Sequence, residues 1–293
     1  MTSIFNFDDQ TAQLNPSYAT KSSDRESLPV IMAENYEPKL KDTVNLCLLA
    51  SKTHSMDEGE LKSLNLTPSV VQYGNNDCHI LTGLNSHRFV VLAKPNLYVM
   101  DKDTKKAVGR LQKGMKLGKQ NKIITVAKVY LAILKADGSL LMDQSGFPQI
   151  CTLKLTSTKT KLIFDNQDPN ASTIDSLNKA LQHKFKLTGN LVHLVSISII
   201  AKPTKFSSLD DAKKSSVGIM FAFDGQARIL SEQNQKAISD LIQGDRFIEM
   251  NADPFGISKN SSKESSKESG NFLDEYSNDD EFQPDDNESL VPY

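Results

Sequence analysis

The chain has 293 residues and a formal net charge of −2, with three cysteines and no tryptophan. The cysteines, Cys47, Cys78 and Cys151, are odd in number and widely spaced, which indicates neither a disulfide framework nor a zinc cage. The N-terminus is acidic, and no apolar run approaches the ~18 residues of a membrane span. We therefore expect no signal peptide and a cytoplasmic protein.

The polarity of the chain predicts three parts. Residues 1–27 are polar, residues 28–256 form a body, and residues 257–293 carry three lysines against ten acidic residues, a net charge of −7. Segments this polar bury too little apolar surface to offset their ordering entropy, so we expect both ends to be disordered. A change of character near residue 165 leaves open whether the body is one domain or two.

The front of the body predicts β-strands. Short apolar runs separated by turn residues lie at 28–33, 42–51, 79–84, 88–93 and 96–100. A polar stretch at 53–69 allows one short helix. Residues 101–106 predict the tip of a hairpin that leads into 107–111.

Residues 121–136 are the longest strong segment, and their length also permits a helix. Alternation in the first half favours a strand. The Asp137-Gly138 turn pair that follows makes a long β-hairpin with residues 139–143 the better interpretation. Residues 149–157 alternate cleanly and predict one more strand.

The back of the body predicts two strands and two amphipathic helices, over 191–203, 216–225, 171–185 and 231–243. Ser172 or Thr173 is available to cap the first helix, whereas Ser231 caps the second and Gly244 ends it. Together these elements predict an α+β, mostly β fold with a barrel-like (OB-like) core and a few packed helices.

The sequence carries no familiar motif for catalysis, a cofactor or a metal. GxxxxGK[ST], GxGxxG, GxSxG, HExxH and CxxC are all missing. Cys78-His79 is the closest pair of soft ligands, and no second pair follows at a suitable spacing. We therefore expect a protein that is not an enzyme and that needs neither a cofactor nor a metal.

Positive charge concentrates in one window. Residues 85–128 hold eleven basic residues against Asp101 and Asp103, a net charge of +9. Such a window indicates a polyanionic partner. It contains nine lysines and two arginines, and an excess of lysine suits sequence-independent contact with phosphates. The alternative is a plain surface of solvated lysines. The nucleic-acid-binding candidates are Lys94, Tyr98, Lys102, Lys105, Lys106, Arg110, Lys113, Lys116, Lys119, Lys122, Lys128 and Tyr130.

The two tyrosines among these candidates are expected to stack bases. A single strand is held by a positive groove that follows the phosphates and by aromatic faces that meet the bases. Tyr98 precedes the lysine-rich hairpin tip, and Tyr130 shares a strand face with Lys128. Each tyrosine could equally be packed on one side, and Phe89 and Phe164 are expected in the core.

The chain ends in a compact potential ligand. Leu290 and Val291 are branched aliphatics, Pro292 has a locked φ angle, and Tyr293 brings an aromatic ring with the α-carboxylate. Such an end suits capture by an apolar pocket ringed by Lys or Arg. The partner-binding candidates are Asp285, Asp286, Glu288, Leu290, Val291, Pro292 and Tyr293.

This acidic run, ending in an aliphatic residue, proline and an aromatic, resembles the C-terminus of bacterial single-stranded DNA-binding proteins. The resemblance covers about twenty residues, with Tyr293 in place of phenylalanine and with Asn287, Ser289 and Leu290 interrupting the acids. It implies a tip that docks replication, repair and recombination enzymes. It also implies a body that binds single-stranded DNA, although the residues themselves do not distinguish DNA from RNA.

These observations predict a sequence-tolerant single-stranded DNA-binding protein whose acidic tail competes with nucleic acid for the basic window. The competing interpretation is a protein-binding adaptor or a mobile-element accessory protein without nucleic-acid binding, and the tail could be a solubilising extension. The oligomeric state stays open.

Overall fold

The computed structural model describes residues 28–33, 44–49, 58–73, 76–112, 115, 117, 122–163, 173–207 and 215–257. The strands within these ranges are β1 (Val30–Ala33), β2 (Leu46–Leu49), β3 (Thr67–Tyr73), β4 (Asn76–Thr82), β5 (Arg88–Val91), β6 (Tyr98–Asp101), β7 (Ala107–Arg110), β8 (Ile123–Leu134), β9 (Cys151–Thr156), β10 (Val195–Ser207) and β11 (Ser215–Ile229). The α-helices are α1 (Glu58–Ser63), α2 (Ile174–Phe185), α3 (Glu232–Gln243) and α4 (Asp245–Ala252). Short 3-10 helices cover Leu84–Ser86, Ser157–Leu162 and Val192–Leu194.

The strands form one strongly curled, mixed sheet, a half-barrel. Its order is β11-β10-β5-β8-β9-β1-β2-β4-β3, and the β6–β7 hairpin joins at β8. β1 and β9 run parallel, whereas the other pairs are antiparallel. The curl brings Val44, just ahead of β2, to β10, where its N–H donates to the carbonyl of Ala201 at 3.1 Å.

The main core fills the inside of this curl. Alternate residues of the strands point inwards, and Phe89, Val129, Leu131 and Leu153 are fully or almost fully buried there. A second apolar cluster lies on the outer face of β5 and β8, where α3 and α4 pack. The mostly β, barrel-like expectation is therefore confirmed.

Several local predictions are confirmed for physical reasons visible in the structure. The segment at 121–136 is the strand β8, and Thr173 caps α2 by accepting a hydrogen bond from the Ser176 N–H. Ser231 caps α3 in the same way. The short helix allowed within 53–69 is α1.

Three elements differ from the sequence prediction. The strand β3 begins within the polar stretch at 53–69, where no strand was predicted. It pairs with β4 in an outer hairpin. Residues 139–143 make isolated bridges rather than a second long strand. Gly244 ends α3 as expected, but a further helix, α4, begins at once beyond it.

The described ranges leave some expectations outside the structure. Residues 1–27 and residues 258–293 of the acidic tail lie beyond them. No helix in the described part of the chain combines the length and the apolarity needed to cross a membrane.

Candidate nucleic-acid interface

The strands β7, β6, β8 and β9 lie side by side and share an outer face. Tyr98 pairs with Arg110 on one side and Val126 on the other, and Lys128 pairs with Lys154. Direct cross-strand partners lie on the same face of a sheet, as do residues two apart on one strand. Four candidate side chains and one further lysine therefore gather on this face, which we call the basic face: Tyr98, Arg110, Lys128 and Tyr130, with Lys154.

The last described residues cover much of the basic face. We call Met250–Ile257, the end of α4 and the turn after it, the C-terminal strap. Gly256 has φ +73°, in the left-handed region that glycine adopts most readily, and this reverses the chain. The Ile257 N–H then donates to the Asp253 carboxylate at 2.9 Å. The strap is thus a closed turn seated on the sheet.

Both tyrosine rings are buried beneath the C-terminal residues. Tyr98 is 3% exposed and Tyr130 is 2% exposed. The ring of Phe255 meets Tyr98 edge-on at 5.1 Å, and that of Phe247 meets Tyr130 at 5.7 Å. In this structure neither tyrosine offers a free face to a base, and their stacking role stays a prediction.

The cations of the basic face donate to backbone carbonyls of the strap. Lys128 Nζ lies 2.6 Å from the Pro254 oxygen and also sits over the Phe255 ring, 5.2 Å from its centre. Arg110 Nη2 lies 3.4 Å from the Ala252 oxygen. The Arg110 Nε also donates to the Tyr98 hydroxyl at 3.3 Å. These donors therefore meet neutral acceptors from the strap.

Lys154 is a site residue that the sequence prediction missed. It is half-buried beside Lys128, and its side chain makes no hydrogen bond or ion pair with the described part of the chain. Burial lowers the pKa of Lys154, and the positive charge of Lys105 lowers this pKa further. The alternation of residues 149–157 places Lys154 on the polar face of its strand, but Lys154 lies outside the basic window of residues 85–128.

The tip of the β6–β7 hairpin presents further lysines. The Asp101 carboxylate accepts hydrogen bonds from the backbone N–H groups of Thr104 and Asp103 and from the Thr104 hydroxyl, and these bonds lower the pKa of Asp101. Lys105 has φ +58° within this turn. The structure thus holds the tip in one shape, from which Lys102, Lys105 and Lys106 extend.

Lys122 stands beside this tip at the start of β8. Its Nζ lies 2.7 Å from the Asp103 carboxylate, which raises the pKa of Lys122. Both side chains are well exposed, so solvent screens the pair and it contributes little to stability. Lys122 therefore remains accessible to an anion.

The remaining candidates lie elsewhere. Lys94 is away from the basic face and pairs with Asp175 in the first turn of α2 at 2.5 Å. Other candidates fall outside the described residues: Lys113, Lys116, Lys119, Asp285, Asp286, Glu288, Leu290, Val291, Pro292 and Tyr293. Within the described part, no three His, Cys, Asp or Glu side chains are grouped so as to hold a metal ion.

Comparisons of the chain with protein-family models, curated proteins and solved structures found no match. No family is therefore assigned. The functional interpretation depends on the geometry of the basic face and the hairpin tip together with the composition of the tail.

Proposed function

We propose that this protein binds single-stranded DNA with little regard to sequence, through the basic face and the hairpin tip. The observation that carries the proposal is the cross-strand pair of Lys128 and Lys154. Like charges directly opposite each other destabilise a sheet, and burial adds a desolvation cost at Lys154. A phosphate bound at the pair would offset both the repulsion and the desolvation cost. Phosphate binding would therefore explain why two lysines lie opposite each other here.

The hairpin tip extends this positive surface. The charge of Lys105 acts on Lys154, so the tip and the basic face belong to one electrostatic site. Lysine provides a point charge on a flexible stem and suits sequence-independent contact with a phosphate backbone. A polyanion following the surface would meet the tip lysines, then Lys154 and Lys128.

An aromatic ring behind these cations favours a single strand over a duplex. Unpaired bases can stack on an aromatic side chain, whereas paired bases keep their faces inside the double helix. Tyr98 lies in the row next to Lys128 and Lys154 and is flanked by Arg110. Phe255 covers its ring in this structure, so a base would stack on Tyr98 only after Phe255 moves away.

The tail supplies the second half of the proposed function. Its end, Val291-Pro292-Tyr293 after an acidic run, would recruit replication, repair or recombination enzymes as the resemblance implies. Its net charge of −7 would also make it a competitor for the basic face.

The test is a fluorescence anisotropy titration of the full chain with labelled oligo(dT) at low salt. We expect binding that weakens as salt is raised, and weaker binding to a duplex of the same length. Lys128→Gln and Lys154→Gln should each reduce the affinity, whereas Lys184→Gln on α2 serves as a matched surface control. Absence of binding, or equal affinity for the duplex, would contradict the proposal and favour a protein-binding adaptor.

A further inference from the structure

The strap places backbone acceptors on the donors of the basic face. The carbonyl oxygens of Ala252 and Pro254 accept from Arg110 and Lys128. The Met250 oxygen accepts from the Tyr130 hydroxyl at 3.0 Å. Three acceptor oxygens of the strap thus lie on the basic face, and two of them, from Ala252 and Pro254, occupy cations that phosphate oxygens would otherwise meet.

The strap also places an aromatic ring where a base would lie. Phe255 packs edge-on against Tyr98 and beneath the ammonium of Lys128. A tyrosine face beside a cation is the setting in which single-strand binders hold a base. The strap therefore reproduces both parts of a bound nucleotide, the acceptor and the ring.

We infer that the C-terminal strap is a peptide stand-in for a nucleic-acid strand, and that a single strand binds the basic face by displacing it. The inference rests on the proposed function and adds its regulation. The closed form seen here is the inhibited state, and the open form exposes Tyr98, Arg110 and Lys128 together.

Charge gives the strand its advantage over the strap. The strap itself meets Arg110 and Lys128 through neutral carbonyls. A phosphate would offer charged oxygens instead, which add a Coulombic attraction to each hydrogen bond. The exchange removes no protein carboxylate from Lys154, which forms no ion pair with the described residues. A phosphate can therefore replace the strap at Lys128 and also meet Lys154.

The opening has a natural hinge within α4. Phe247 is buried in the outer cluster with Val90, Ala132 and Ile238, so this part of the helix is anchored to the body. Beyond it, Phe255 and Ile257 are only half-buried. Lifting the strap from Met250 onwards exposes the Tyr98 ring but leaves Phe247 over Tyr130. Tyr98 is therefore the stacking residue of the open form.

The strap also couples the face to the tail. Ile257 packs against the cluster of Tyr98, Met100 and Val126, so the chain leaves the body beside the basic face. The acidic residues of 258–293 follow directly in the sequence. Because the seated strap fixes the point at which the acidic segment joins the body, we expect the strap and the tail to oppose nucleic-acid binding together.

A single tryptophan can report the displacement, because the chain contains none. We expect the Phe255→Trp variant of the full chain to show red-shifted emission and stronger acrylamide quenching when oligo(dT) is added. Phe147→Trp is the matched control. Phe147 is 54% exposed in the loop that follows the far end of β8, and its emission should not change.

The outcomes separate the inference from the function on which it rests. Oligo(dT) binding without a change at position 255 would leave the proposed function standing and overturn the strap. Failure of oligo(dT) to bind either variant or the unaltered chain would overturn both.

Two further measurements keep the test open if Phe255→Trp does not fold. Phe255→Leu keeps apolar volume but loses the contacts of the aromatic ring, so oligo(dT) affinity should rise several-fold; an equal or lower affinity would overturn the inference. On the unaltered chain, oligo(dT) should speed amide hydrogen exchange at Asp253 and Ile257, whose N–H groups bond to Glu249 and Asp253. Unchanged or slower exchange there would overturn it too.

Discussion

Lys128 on β8 is the direct cross-strand partner of Lys154 on β9. The two ammonium groups differ in their surroundings, since Lys128 donates to the Pro254 carbonyl and Lys154 has no hydrogen-bond or ion-pair partner among the described residues. Two like charges paired across strands oppose folding. A substitution of Lys154 should therefore affect stability and binding differently.

Replacing Lys154 should therefore move stability and affinity in opposite directions. In Lys154→Gln the free energy of unfolding should rise by about 0.2–1 kcal/mol, the range of cross-strand pair effects. The affinity for oligo(dT) should fall, and the slope of its logarithm against log salt should drop by about 0.7, the value of one phosphate contact on a single strand. Urea melts and salt-dependent anisotropy measure both. A variant that loses stability and affinity together would instead make Lys154 a structural residue.

The same lysine predicts a dependence of stability on pH. Because burial lowers the pKa of Lys154 below its ordinary 10.5, the folded chain holds fewer protons than the unfolded chain between the two values. The destabilisation is thus fully present below the lowered pKa and is relieved as pH rises towards 10.5. The gain in Tm of Lys154→Gln over the unaltered chain should be largest near neutral pH and shrink at alkaline pH. A gain that grows with pH would contradict this.

The sequence predicted the fold better than the state of the site. Alternation in its first half and the Asp137-Gly138 turn identified β8 as a strand, although both faces of its second half, Val129 to Leu134, are buried. The burial of Tyr130 could not be predicted in this way, since its partner Met250 lies 120 residues away in the sequence. A local sequence pattern indicates whether a segment is a strand or a helix. It does not indicate which distant segment packs over one face of that strand. The position of Lys154 on the polar face could have been predicted, because it alternates with buried neighbours on β9.

The capping of α2 offers a test of the fold that is independent of nucleic acid. Thr173 Oγ1 accepts from the Ser176 N–H at 3.1 Å, and the Ser176 hydroxyl accepts from the Thr173 N–H at 2.9 Å. Thr173→Ala removes the first of these bonds and should cost about 1 kcal/mol of stability. Thr204→Ala, at a half-buried position on β10, is the matched control. Equal urea midpoints for Thr173→Ala and the unaltered chain would show that the cap contributes nothing.

The hydroxyl of Tyr130 should hold the strap as well as stabilise the fold. It donates to the Met250 carbonyl at 3.0 Å from an otherwise buried ring. Tyr130→Phe keeps the ring against Phe247 and should cost about 1 kcal/mol, the typical value of one hydrogen bond. It should also speed hydrogen exchange at Asp253 and tighten oligo(dT) binding. Weaker oligo(dT) binding by a stably folded variant would mean that this hydroxyl contacts the nucleic acid itself.

The acidic tail should lower affinity through its charge and recruit partners through its tip. Deleting residues 271–293 removes eight acidic residues and no basic ones, so oligo(dT) binding should tighten at low salt. The gain should disappear as salt screens the tail from the basic face. Tyr293→Ala on the full chain is the matched control, because it keeps every acidic side chain. It should leave oligo(dT) affinity unchanged but abolish capture of replication and repair enzymes, measured by pull-down and mass spectrometry. Unchanged affinity on deletion would contradict competition between the tail and nucleic acid. Undiminished capture by Tyr293→Ala would show that the recruiting residues lie outside the tip.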